Sequence, residues 1–164
     1  LAHQLAEVNR HFSTIDVNFQ ADTITALPAG DEVVVTREHR DLLGRDRYTR
    51  KVVHCFVIGN LFNVDEPGEI RGVHWRDRKA RSHHWVVLAK TAGRDDWVLA
   101  HEIGHFFGLP HSRYPISIMN KRPRTKPDPA IRTFAKPEQR RMRARLRRYL
   151  KTKELVPTVA GNSK

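Results

Sequence analysis

A chain of 164 residues with 39% apolar content has room for one domain with a core of its own. It holds no apolar run of about eighteen residues, so no membrane-spanning helix is expected, and its single cysteine, Cys55, excludes an internal disulfide. The net charge of +12 is unevenly placed. Residues 1–120 carry 15 Lys+Arg against 15 Asp+Glu, and residues 121–164 carry 15 against 3. A neutral body therefore bears a basic C-terminal portion.

Leu1 to Phe12 reads as a helix, with Leu1, Leu5, Val8 and Phe12 at helical spacing. The opening LAHQLAEVNR is charged and amphipathic rather than a secretory signal, and it starts without Met, which suits either a processed chain that has lost a leader or a trimmed one. Ser13 to Phe19 alternates like a strand. Pro28 to Gly30 marks a turn before a second strand, Glu32 to Thr36. Residues 37–50 are polar and read as a loop or short helix. Lys51 to Gly59 reads as a fully buried strand, which would make Cys55 a buried, inert thiol. Asn63, Asp65, Glu66 and Glu69 lie in a loop whose spacing suits a solvated turn better than a calcium site. Ile70 to Trp75 is a short, charged run suited to a sheet edge. His84 to Ala89 is a buried strand. His83 and His84 point to opposite faces and, like His74, suit the surface or the space behind a site better than one shared ion.

Arg94 to Phe107 reads as a helix, with Gly108 where it would end in a left-handed conformation. Three prolines, Pro123, Pro127 and Pro129, make residues 121–136 irregular. Pro137 to Lys151 is the last helix, with proline and Glu138 suiting its first turn and Met142, Leu146, Tyr149 and Leu150 in one apolar stripe.

The stretch HEIGHFFGLPH, 101–111, carries the chemistry. His101 and His105 are one helical turn apart and can share an ion. Glu102 sits beside them, where it can take a proton from a metal-bound water. Gly108 lets the chain turn and return His111 to the same ion. Three neutral imidazoles favour zinc and leave a fourth position for water. In this composition, chance gives the five fixed positions on the order of once in ten thousand chains.

These residues resemble the HExxHxxGxxH consensus of the metzincin metallopeptidases. The resemblance implies an α+β fold: a mixed twisted sheet, an active-site helix, a methionine-bearing turn (the Met-turn) and a C-terminal helix. It implies one catalytic zinc held by His101, His105 and His111, with Glu102 as general base and Met119, in SIMN, as the methionine of the turn. Ser112 and the eight-residue step from His111 to Met119 are similar to the matrixin branch. Lys121, two after the methionine, stands where matrixins usually have proline. TFAKPEQRRMR, 133–143, is similar to pappalysin-like enzymes, so the branch stays open. In the resembled fold the edge strand holds extended substrate through its main chain, which would make Gly72 and Val73 rail residues, the alternative being an ordinary edge strand. Tyr114 is a candidate oxyanion contact, though a packed or surface tyrosine suits it better.

The expected molecule is one zinc-peptidase catalytic domain over 1–164: an upper subdomain at 1–108, a lower one at 109–152 with the Met-turn and basic helix, and a tail at 153–164. It is expected to be a monomeric, secreted or periplasmic zinc endopeptidase acting on proteins or peptides. Lys121, Arg122, Arg124 and Lys126, on the primed-side wall of the resembled fold, suggest a preference for acidic or polar residues just after the scissile bond. The alternative is an inactive metzincin-like module whose arginine-rich C-terminus, Arg140, Arg141, Arg143, Arg147 and Arg148, binds an anionic polymer.

Overall fold

The computed structural model describes residues 2–90, 97–121 and 125–158. Helix α1 spans Ala2–Phe12, strand β1 Val33–Val34, helix α2 Arg37–Arg45, β2 Cys55–Ile58, β3 Asn60–Leu61, β4 Gly72–Arg76, β5 His84–Ala89, helix α3 Val98–Phe106 and helix α4 Lys136–Lys151. The fold is α+β, as the metzincin resemblance implied. No described helix is long and apolar enough to cross a membrane.

A three-stranded sheet in the order β2-β5-β4 organises the body, with β2 parallel and β4 antiparallel to β5. A parallel pair, β1 and β3, stands beside it. All six residues of β5 are buried because apolar layers cover both faces. Val86 and Leu88 enter the core shared with α1, α3 and α4, while Trp85, Val87 and Ala89 enter a second core under α2. Helix α2 can lie flat there because residue 44 is glycine. A Cβ at Gly44 would fall 2.3 Å from the Trp85 ring. The helix is capped by Thr36, whose Oγ1 accepts from the His39 amide at 3.1 Å.

Three expectations change. The Ser13–Phe19 strand is absent: Ser13–Ile15 is a 3-10 turn, and Phe19 is stapled to α1 instead of joining a sheet. Asn9 donates to the Phe19 carbonyl at 3.0 Å and accepts from its amide at 2.7 Å, and the Phe19 ring meets Phe12 edge-on. Strand β2 is buried on one face only, with Phe56 and Ile58 inside and Cys55 and Val57 exposed. Alternation, not a continuous apolar run, governs it: Cys55 lies on the exposed face, yet desolvation by its surroundings pushes its thiol up to about 12 and leaves it inert. Residues Glu154 and Leu155, assigned to a tail, are packed: the Lys51 amide donates to the Glu154 carbonyl at 2.8 Å, and Leu155 is buried. The start of the expected 94–107 helix, 94–96, lies outside the described residues.

Candidate metal centre

Helix α3 carries His101, Glu102 and His105 on an otherwise apolar body, with Leu99, Ala100, Ile103 and Phe106 in the core. Gly108 follows at φ +83°, the left-handed conformation expected of it. The chain then reverses and brings His111 back. One nitrogen of each of the three rings lies within 4.8 Å of the others. His105 Nε2 is 3.1 Å from His101 Nε2 and 3.3 Å from His111 Nε2.

Backbone carbonyls settle which nitrogens face each other. His101 Nδ1 donates to the Ile118 carbonyl at 2.7 Å, and His105 Nδ1 donates to the Leu109 carbonyl at 2.7 Å. The protons of these two rings are thus on the outer nitrogens, and their Nε2 lone pairs turn inward, toward each other and His111. Corners of a tetrahedron built on zinc–nitrogen bonds of about 2.0–2.1 Å lie roughly 3.3 Å apart, so the spacing suits zinc. All three imidazoles are held neutral. Burial lowers His101 to about 4 and also lowers His105 and His111, and Lys121 adds to the effect on His111. Neutral rings are what a metal needs.

Glu102 lies beneath the edge strand. Burial raises its carboxyl to about 7, against opposing pulls from the His74 backbone amide and the Arg40 guanidinium. Gly72 leaves it room, since a Cβ there would sit 2.9 Å from Glu102 Cγ. Val73 faces the other core, under α2. Arg40 was not singled out in the sequence. It is 2% exposed, donates to the Phe62 carbonyl at 2.6 Å and lies over the Trp75 ring. Nothing in its polar surroundings, REHRD, marks it as a buried cation.

Below α3, Met119 is fully buried. A Cβ on Gly104 would fall 2.6 Å from its sulfur, so the fourth residue of HEIGH is small because methionine packs against it. The turn bearing Met119 is tied to both neighbours. The Ser112 amide donates to the Met119 carbonyl at 2.9 Å, and Ser117 Oγ accepts from the Met119 amide at 2.9 Å while donating to the Glu138 carboxylate. Glu138 also accepts from the Ala135 amide at 2.7 Å, which caps α4. Tyr114 is 45% exposed. It lines a cavity of about 540 Å³ with His111, Ser112, Arg113, Pro137 and Arg141.

The other candidates do not gather around an ion. Asp65 pairs with Arg37, and Glu69 accepts from Asn60 at 3.2 Å. His83 stacks on Tyr48 and His84 on Phe106, on opposite sides of β5. Arg122 and Arg124 lie outside the described residues.

The family model of the matrixins, a peptidase family, matches residues 5–133. No curated protein and no solved structure gives a significant match.

Proposed function

Because the chain belongs to the matrixin family of metzincin peptidases, we propose that it is a zinc-dependent endopeptidase in which His101, His105 and His111 hold the metal and Glu102 is the general base. The observation that carries this reading is the convergence of three imidazole Nε2 atoms beside the buried carboxylate of Glu102. Zinc, when bound, would polarise the scissile carbonyl and acidify a water. Glu102 takes the proton of the attacking water, holds it, and delivers it to the leaving amine. Its burial makes it basic enough for the first transfer, and the His74 amide keeps it oriented.

Substrate lies extended along β4. That strand ends the sheet, so its outer main-chain groups can pair with a peptide of any sequence. Gly72 gives the peptide close approach above Glu102, Val73 anchors the rail to the core beneath, and Tyr114 contacts substrate beside His111. Met119 forms the floor by packing, not ligation. The domain is a secreted monomer in this reading, divided at 108 into upper and lower parts by the cleft.

One observation favours a further role for the basic portion. On α4, Arg140, Arg141, Arg147 and Arg148 are exposed, and no described carboxylate pairs with them. This face docks the enzyme on an anionic polymer. Retention on an anionic matrix should fall steeply with salt, and Arg147→Ala with Arg148→Ala should flatten that slope. A salt-independent retention would remove this role.

The peptidase reading is tested with a diverse peptide library, incubated with and without a zinc chelator, with new termini read by mass spectrometry. Chelator-sensitive cuts that Glu102→Ala cannot make are expected. Cuts that survive chelation would defeat it. Comparing peptides with Glu, Leu or Lys after the scissile bond tests the acidic preference, which equal cleavage would rule out.

A further inference from the structure

Two histidines outside the triad, one buried and one half-buried, form a hydrogen-bonded chain with a partly exposed carboxylate that the reaction does not use. His84, the first residue of β5, is 1% exposed and lies flat on Phe106, with ring centroids 3.9 Å apart. Its Nδ1 is 2.8 Å from His74 Nε2, and its Nε2 is 2.7 Å from Glu154 Oε1. Glu154 follows α4 and is held there through its own backbone, its amide donating to the Tyr149 carbonyl at 2.9 Å. The chain thus runs from the C-terminal segment, through the centre of the sheet, to its edge strand.

The proton order along it is fixed. An ionised carboxylate only accepts, so His84 donates to it from Nε2. His84 Nδ1 is then an acceptor, and His74 donates to it from Nε2. Burial holds both rings well below the usual histidine range, with His84 at about 4, and keeps them neutral. Packing alone does not call for this arrangement. Apolar side chains would fill the space against Phe106 and Tyr149 at no cost in desolvated polar groups. A directional chain does what apolar filling does not: it fixes the rotamer and orientation of His74.

His74 matters because of where β4 lies. Its backbone amide hydrogen-bonds Glu102, and two residues earlier Gly72 packs so closely that a Cβ would touch Glu102 Cγ. The His74 side chain and amide are held by one short strand, paired on only one side.

We propose that Glu154, His84 and His74 are positioning residues that fix β4 over Glu102, so that turnover depends on a carboxylate outside the cleft. This rests on the peptidase reading. The test uses the full zinc-loaded chain with Glu154→Ala and Glu154→Gln. The Glu154 side chain is 23% exposed, so both variants are expected to fold. Glu154→Ala should lower kcat about tenfold, as loss of a partner behind a catalytic group does, with KM and one zinc per chain unchanged. Glu154→Gln, whose carbonyl still accepts, should recover most of the loss. A variant that melts earlier yet keeps its kcat per zinc would overturn the proposal, as would a rise in KM alone. Imidazole and amide NMR supplies a readout without turnover. In the wild type His74 and His84 both carry the proton on Nε2, and Glu154→Ala should mix the His84 tautomers and shift the His74 amide. Should the wild type cut no peptide, the peptidase reading fails by itself, and an unmoved His74 amide in Glu154→Ala would separately defeat the positioning chain.

Discussion

Two histidine clusters lie close to Glu102, and they use the same side chain for opposite ends. In the His101–His105–His111 cluster, backbone carbonyls take the outer protons of the first two rings, and the three Nε2 atoms converge. In the His74–His84 pair, each inner nitrogen meets a partner and the chain ends on Glu154. The first arrangement is the one that suits a cation. The second is complete without one. What the protein places on the far side of each ring decides between ligand and strut.

The largest break in that comparison is His105→Ala. It removes the ring shared by both short nitrogen contacts, so zinc stoichiometry by atomic absorption should fall to near zero and peptide cleavage should disappear with it. Glu102→Gln comes next. Zinc should stay at one per chain, while kcat drops about a thousandfold, the usual weight of a general base. Turnover close to wild type would assign the base elsewhere. Gly104→Ala sharpens the comparison from below, because the new methyl must displace Met119 from under α3. Overpacking of this kind costs about 2 kcal/mol, visible as a lower Tm, and a Tm equal to wild type would show that the sulfur moves freely.

The smallest effect concerns a buried histidine that belongs to neither arrangement. His11 is fully buried, its Nδ1 has no hydrogen-bond partner among the described residues, and burial, then Arg10, lowers it to about 4 while Glu7 opposes. The unfolded chain takes up this proton near the ordinary histidine value of about 6.5, and the folded chain does not until pH nears 4. Stability is therefore whole above pH 6.5 and declines as pH falls toward 4. In a series of thermal melts across that window, His11→Phe should show a shallower decline than the wild type. Parallel curves would mean that His11 is not a source of the acid sensitivity.

Much of this was legible in the sequence where pattern and chemistry coincide. The period of α1 and α4, the apolar run of β5 and the spacing of 101–111 each follow from local rules, and Gly108 adopts the left-handed turn its position called for. Elements that depend on a distant partner were not legible. Nothing in CFVI says that only one face is covered, so Cys55 was expected inside. Nothing in STIDVNF says that Asn9 will capture Phe19. Arg40 was hidden because its burial comes from the Trp75 ring and the Phe62 carbonyl, far along the chain. The carbonyls of Ile118 and Leu109 carry no sequence signature at all. Glu154 and His84 are seventy residues apart, and only the folded sheet brings them together.

The central claim is that three converging imidazoles and one carboxylate make a zinc peptidase. The most direct measurement is a zinc titration of the metal-free chain during cleavage of a fluorogenic peptide, with Glu102→Gln titrated alongside. Activity should rise in proportion to added zinc and stop at one ion per chain, and the variant should bind the same single ion without cutting. Activity that ignores zinc, or a variant that cuts as well as the wild type, would contradict the account.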